Sequence, residues 1–278
     1  MIKVELNNFS VSMSVYANDN PNHFVTAVES VYNQSLIPSE VVLVIDGPIS
    51  NEINVIIHKF IKVKDNFRVV RLKENKGHAY ARRIGLDNCN HDIVALMDSD
   101  DISVSNRFEI QMKILLSDPE ISVVGAQIEE FEDNVNEIIG SRIVPLLNND
   151  ILDFMKYRCP MNQVTVMFRK KDVLSVGGYL DWYSNEDYYL WVRMILAKLS
   201  FKNVEESLVK VRVNNNMYKR RGGWRYFKSE AKLQKFMYDN DLINLSRFII
   251  NTFVRLVVQV LVPNNLRRVI FVKLFRKQ

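Results

Sequence analysis

The chain has 278 residues, of which 47% are hydrophobic and 25% charged, with a formal net charge of +5. That composition excludes a disordered chain and suits one large domain with an appendage. Cys89 and Cys159 lie far apart and outside any Cys-x-x-Cys spacing, so neither a disulfide framework nor a zinc cluster is expected, and a reducing cytoplasm fits. Met1-Ile2-Lys3-Val4-Glu5 shows no basic stretch leading into an apolar core, so no secretory signal is expected. The net charge hides an asymmetry: from Ser207 onward 16 Lys or Arg face 3 Asp or Glu, and the body before it is acidic. A tail of that sign attracts polyanions, meaning an anionic membrane surface, nucleic acid or pyrophosphate groups.

In chain order, Phe9 to Val15 alternates apolar and polar residues and reads as a strand. Phe24, Ala27, Val28 and Val31 recur at helical spacing, and Glu40-Val41-Val42-Leu43-Val44-Ile45 is a second, continuous strand run. Phe67 to Leu72 and Ile93 to Met97 supply two more strands, separated by a helical stretch from Ala79 to Cys89. This β-α-β-α-β-α-β pattern predicts a mostly parallel sheet with helical crossovers. Each strand ends in polar residues: Asn18-Asp19, Asp46-Gly47, Asn75-Lys76-Gly77 and Asp98-Ser99-Asp100-Asp101. Beyond them the pattern is mixed, with a helix from Ser105 to Leu116, β-like runs near Val123 and from Val164 to Phe168, and a helix from about Glu186 to Leu199.

The Asp tetrad is the most informative feature, because it follows a buried strand directly and therefore emerges at its carboxyl end, where open α/β sheets bind ligands. Three carboxylates in one turn repel each other unless a cation offsets them. Hard oxygen donors with no neighbouring Cys or His point to Mg2+ or Mn2+ holding a phosphate, not to zinc.

The tail has two helical parts. Leu233, Phe236 and Met237 mark an amphipathic helix, and Phe248 to Val262 is apolar except for Asn251, Arg255 and Gln259, which form one polar stripe. The second part reaches about 22 Å against roughly 30 Å of hydrocarbon, too short to span. Pro263 ends it, and Arg267, Arg268, Lys273, Arg276 and Lys277 follow. It reads as an interfacial helix with basic neighbours, or as a helix docked on the body or on a second subunit.

In order and spacing, these segments resemble the family-two glycosyltransferases of the GT-A fold, especially bacterial enzymes of O-antigen and exopolysaccharide repeat-unit synthesis. The resemblance rests on Ser14-Val15-Tyr16 with Asn18-Asp19, Ala27 to Val31 with Gln34-Ser35, Glu40 to Gly47, Asn75-Lys76-Gly77 with Ala81-Arg82, the tetrad, and Gly177-Gly178-Tyr179 followed by Glu186-Asp187-Tyr188-Tyr189-Leu190-Trp191. It implies a GT-A domain over residues 1–213, with a nucleotide-sugar half to about 104 and an acceptor half from about 105, and a basic helical tail over 214–278 at a membrane surface. It further implies that Tyr16, Asn18, Asp19, Asp46, Lys76, Gly77, Arg82 and Asp98 bind the nucleotide of a UDP-sugar, Asp46 accepting from the base. Asp100, with Asp98, would ligate Mn2+ or Mg2+. Asp187 would be the general base, with Glu186 orienting the acceptor or serving as base instead. Trp182 and Trp191 would offer sugars their rings, and Arg212, Lys219, Arg220 and Arg221 would meet the pyrophosphate of a lipid-linked acceptor.

The activity so implied is inverting transfer of a hexose or N-acetylhexosamine to a lipid-linked saccharide, by a protein peripheral on the cytoplasmic face of the cell membrane, with no nucleic-acid partner. Departures from the family pattern fall at Asn162-Gln163, where relatives often carry Asn-His, and at Arg83, where they carry Asn. His23, His58, His78 and His91 show no ligand spacing and read as surface or loop residues. Two other classes compete. A nucleotidyltransferase would need a Gly-rich basic loop after the first strand, which Tyr16 to Pro21 lacks, and a non-catalytic polyanion-binding module would leave the acids without a role.

Overall fold

The computed structural model describes residues 8–213 and 222–263. The first strands are β1 (Phe9–Val15), β2 (Glu40–Ile45), β3 (Phe67–Arg71) and β4 (Ile93–Met97). They are parallel in the spatial order β3-β2-β1-β4, with Val11 opposite Val41 on one side and Ala95 on the other. Every residue of β2 and β4 is buried, as expected of a parallel sheet covered on both faces.

The crossovers are α1 (Pro21–Tyr32), α2 (Asn51–Val63) and α3 (His78–Asn88). Asn20 caps α1 by accepting from the amides of Asn22 and His23, with Pro21 at the first helical position. Because successive strand residues point to opposite faces, Val41, Leu43 and Ile45 pack with Phe24, Val28, Ile53 and Ile57 on one side. Val42 and Val94 pack with Leu86 on the other.

The second half comprises β5 (Ile102–Ser103), α4 (Arg107–Ser117), β6 (Ile121–Phe131), β7 (Gly140–Arg142), α5 (Asn148–Met155), β8 (Met167–Arg169), α6 (Lys170–Ser175), α7 (Glu186–Leu196) and β9 (Ser200–Arg212). Its strands extend the sheet as β4-β8-β6-β9-β5, with β7 on β6. β8 runs antiparallel to β4 and β6, so the sheet is parallel through its first four strands and mixed thereafter.

Two sequence expectations need correction. Val164 lies in a 3-10 turn, Gln163–Thr165, rather than in strand. The helix from Glu186 stops at Leu196, where Lys198 takes a positive φ of 61° and redirects the chain into β9, a strand absent from the sequence reading.

The helical tail consists of α8 (Trp224–Asp239) and α9 (Leu245–Leu256), the latter continuing through a π turn, Val257–Leu261. Leu233 and Met237 are buried in the core as the spacing predicts. The polar stripe of α9 faces inward. Asn251 donates to the Lys156 carbonyl (2.8 Å) and to Gln234 Oε1 (2.7 Å), and Arg255 donates to Glu230 (2.6 Å) and to the Tyr157 carbonyl (2.8 Å). Residues spaced by four drift about 40° per step around an α-helix; the wider π turn takes up part of that drift and keeps Gln259 buried. No helix among the described residues is long and apolar enough to cross a membrane.

Candidate active site

The site lies at the carboxyl ends of β1 to β4, at the point where the chain order reverses: β2 and β3 lie to one side of β1, β4 to the other. The loop after β1 folds on itself, Asp19 accepting from the Tyr16 amide (3.1 Å) and from Ser99 Oγ (2.8 Å), which ties it to the tetrad. Burial, first, and then the charge of Asp98 raise the Asp19 carboxyl above the usual range, against the pull of those hydrogen bonds.

After β2, Asp46 is buried and both its oxygens accept backbone amides, Oδ1 from Lys76 (2.7 Å) and Oδ2 from Gly77 (3.0 Å). Asn75 donates to the Asp46 carbonyl (3.2 Å). Gly47 has a φ of 87°, and a Cβ there would come within 2.5 Å of the Asn75 nitrogen, so only glycine lets the two loops meet. Asp46 is thus first a clamp on the 75–77 loop, with one lone pair on each oxygen left for a ligand. Lys76 sends its ammonium to Glu74 at the surface.

Beneath the tetrad, Arg82 is buried and donates to Asp98 Oδ1 (2.9 Å). Burial alone would lower its guanidinium, but Asp98, Tyr179, Glu186 and Asp187 hold it above its ordinary value. Asp98 is held below its ordinary value: Arg82, His78 and Arg107 outweigh its burial. For Asp100, burial and then the charges of Asp98 and Asp19 outweigh the pull of Arg212 and push it up to about 6. Asp101 is buried and raised further for the same reasons, while accepting the Arg212 amide (2.8 Å).

Among the described residues no three His, Cys, Asp or Glu side chains form a ready metal cage. The donor set is nonetheless all hard oxygen, and Asp100, only partly compensated by Arg212, is a group that a divalent cation would relieve. Mg2+ in particular is held by one or two carboxylates plus substrate phosphates rather than by a full protein cage. The residues therefore fit Mn2+ or Mg2+ at Asp100, with Asp98 nearby.

Glu186 and Asp187 open α7, where the helix N-terminus favours carboxylates. They are pushed apart electrostatically. Burial would raise Glu186, but His78 and Arg82 bring it below its ordinary range. Burial and then the neighbouring Glu186 charge raise Asp187. Two acids with opposed shifts are the usual division between a group that stays charged and one that exchanges a proton. Tyr179, wholly buried, accepts from Gln163 Nε2 at 2.7 Å near Arg82.

Three residues missed in the sequence, His78, Arg107 and Arg142, complete the cluster together with Arg212. His78, the first residue of α3, places Nε2 3.8 Å from Asp98 and Nδ1 3.4 Å from Glu186, bridging the two halves of the site. Arg107 is wholly buried under the tetrad, donating to the Leu96 carbonyl (2.7 Å); burial lowers it to about 9 against the pull of Asp98 and Asp101. Arg212 donates to the Asp100 carbonyl (3.3 Å) and lies over Phe131. Arg142 donates to Asn162 (2.9 Å) and lowers Asp187. Only the Gly before His78 marked that position in the sequence; Arg107 and Arg142 carry no local signal, since their partners come from distant segments, and Arg212, expected at an acceptor pyrophosphate, instead lies against the tetrad.

The two tryptophans differ. Trp191 is fully buried against Phe201 and presents no face to a sugar, which corrects its expected acceptor role. Trp182 is half-buried, with Tyr189 4.1 Å from its ring centre, Lys232 over it at 4.3 Å, and its indole N–H donated to the Ser229 carbonyl (3.3 Å). Arg83 lies over Tyr80. Lys219, Arg220 and Arg221 lie outside the described residues.

The architecture and the sequence agree with known proteins. The chain is 35% identical over 272 residues to the UDP-Gal:alpha-D-GlcNAc-diphosphoundecaprenol beta-1,3-galactosyltransferase of Escherichia coli, covering 97% of each. It is 37% identical over 227 residues to the amylovoran biosynthesis glycosyltransferase AmsE of Erwinia amylovora, covering 82% of this chain and 84% of that one. Its fold is similar to that of the mannosyltransferase PcManGT from Pyrobaculum calidifontis in complex with GDP-Man and Mn2+, with a TM-score of 0.63 at 13% identity over 94% of this chain and 71% of that one. Residues 10–177 match the family described as Glycosyl transferase family 2, and with its GT-A architecture and strand-end carboxylates in place the chain belongs to that family.

Proposed function

We propose that the protein is a metal-dependent, inverting transferase that moves a hexose or N-acetylhexosamine from a UDP-sugar to a lipid-linked saccharide diphosphate, at the cytoplasmic face of the cell membrane. The carrying observation is the single cluster in which Arg82 and His78 join Asp98, at the donor end of the sheet, to Glu186 and Asp187 at the start of α7. The Escherichia coli relative supports the donor and acceptor classes, since its printed activity joins UDP-Gal to a diphosphoundecaprenol-linked sugar.

In this reading the loop at Tyr16, Asn18 and Asp19, with the 75–77 loop clamped by Asp46, holds the nucleotide, and Arg82 keeps Asp98 ionised beside it. Asp100 and Asp98 would hold the divalent cation, which when bound supplies Lewis-acid stabilisation of the departing diphosphate. Asp187 takes the proton of the acceptor hydroxyl, whose oxygen forms the new bond to the anomeric carbon as the bond to UDP breaks on the opposite face. Its raised pKa makes it a better base than an ordinary aspartate. Glu186, kept charged by His78 and Arg82, orients the acceptor.

The test is UDP release by purified protein from a panel of UDP-sugars, with a synthetic lipid-diphosphate-sugar acceptor, with and without Mn2+. Release that needs acceptor and metal and is lost in Asp187→Asn and Asp100→Asn is the expected result. Acceptor-independent release, or full activity in Asp187→Asn, would overturn the assignment.

A further inference from the structure

α9 is built inside out. Its polar stripe is consumed by the body, through Asn251, Arg255 and the Gly223 amide donated to the Gln259 carbonyl (2.8 Å). Its opposite face carries Leu245, Ile249, Ile250, Phe253 and Val254, each more than half exposed, with Leu261 in the π turn and Trp224 at the start of α8 exposed to the same degree. At 100° per residue the five helical positions sweep one contiguous half of the helix surface. A soluble surface helix has the reverse arrangement, and an apolar patch of this kind marks an interaction site.

We infer that this face of α9 is the surface by which the protein docks on an anionic lipid bilayer, lying in the plane of the interface. Three observations select lipid over other occupants. The face is a helical ridge of apolar side chains, with Asn251 and Arg255 of the same helix hydrogen-bonded on the body side, which suits insertion among acyl chains. Its margin carries Trp224, Tyr157 and Tyr238, all exposed, and Arg247 over Tyr157, the amphipathic residues that settle at headgroup level. The 15 residues that follow Pro263 in the sequence include five Lys or Arg and no acid, a charge that favours an anionic surface. A second copy would add a segment of the same positive charge rather than an opposite one.

The placement deepens the proposed reading and rests on it for the acceptor. α8 contacts α9 through Glu230 and Gln234, and holds the turn before the acid pair through Ser229, which accepts from Asn185 Nδ2 (3.4 Å) and donates to the Tyr183 carbonyl (2.6 Å). One helix therefore separates the lipid-facing ridge from the acceptor carboxylates, so an acceptor's sugar diphosphate can reach Asp187 while its hydrocarbon stays in the bilayer.

The experiment compares flotation of the full chain and of the Ile249→Ser/Phe253→Ser variant with vesicles of phosphatidylglycerol and phosphatidylethanolamine. An Ile61→Ser/Val63→Ser control alters an exposed apolar pair on α2. The α9 variant is expected to bind about 30-fold more weakly, from partial loss of two large inserted side chains, and the control to bind like the parent. Transfer to a vesicle-borne acceptor should fall through KM, while transfer to a short-chain, water-soluble acceptor stays unchanged, showing that the variant is folded. Unchanged vesicle binding by the α9 variant overturns the inference, as does a parent dimer that the variant converts to monomer. Weakened vesicle binding with no transfer to any acceptor in the parent would keep the docking face and sink the transferase reading instead.

Discussion

The two ends of the same parallel sheet each bury carboxylates and treat them oppositely. At the amino end, Glu40 is buried and meets four donors: Ser10 Oγ (2.7 Å), the Asn90 amide (2.8 Å), Asn90 Nδ2 (2.7 Å) and the Arg68 guanidinium. Burial alone would raise its carboxyl; those hydrogen bonds and the Arg68 charge win and hold it below the ordinary range. At the carboxyl end, Asp100 and Asp101 are raised by burial and by neighbouring carboxylates, Asp98 and Asp19 for the first and Asp100 and Asp98 for the second. One end is electrostatically finished and serves stability. The other is left short of positive charge, which is the condition for recruiting a cation and its diphosphate.

The comparison is broken most severely by chemistry at the carboxyl end. Asp187→Asn should lower transfer by about 10² to 10⁴-fold, the usual worth of a general base, with the thermal midpoint little changed. For the parent, activity should fall as pH drops and Asp187 takes up a proton. Because its pKa is raised, that fall should begin at higher pH than for an ordinary aspartate; a pH–rate profile without an acidic limb would remove it from this role.

At the amino end the effect moves to stability. Glu40→Gln should cost about 2–3 kcal/mol, because the amide sets its own donors against Ser10 and Asn90 and leaves Arg68 without its counter-charge. The sign with pH follows from the lowered pKa. The contribution of Glu40 is complete above the unfolded carboxylate value of 4.5 and is lost as pH falls through the lower folded value. Denaturant titrations of parent and variant should therefore converge on acidification; parallel curves would deny Glu40 this part.

How much of this was legible in the chain follows from the kind of signal each region carries. β1, β2 and β4 were readable to the residue, because β2 and β4, covered on both faces, are nearly continuous apolar runs, β1 alternates apolar residues with serine, and the polar ends of all three are abrupt. β9 was not, since its parallel pairing with β6 contains register shifts around Gly125, Gln127 and Ile128 that break the alternation along it. That omission produced a second error. Trp191 sits one helical turn after Asp187, which suggests a platform for sugar, but its face of α7 is covered by Phe201 of β9, and without β9 nothing in the sequence covers it. The acid pair itself was legible from its motif, whereas His78 was not, because its partners Asp98 and Glu186 meet it only when α3 and α7 converge.

The smallest effect tests the comparison most directly, because it has the opposite sign. Asp100 has a folded pKa of about 6 against an ordinary 3.8, so the folded state holds the proton more tightly and stability declines as pH rises through that window. Full ionisation thus works against folding at neutral pH. The two-unit shift corresponds to about 3 kcal/mol, but Asp100 is partly exposed and screened by solvent, so Asp100→Asn should stabilise the metal-free protein by about 1–2 kcal/mol at pH 7.5. The same substitution should abolish the rise in thermal midpoint that Mn2+ gives the parent, since a ligand that binds the folded state stabilises it by mass action. Glu40→Gln should keep that rise. If Asp100→Asn proved destabilising without metal, the carboxyl end of the sheet would be as fully compensated as the amino end, and charge deficit could no longer explain why a cation should bind there.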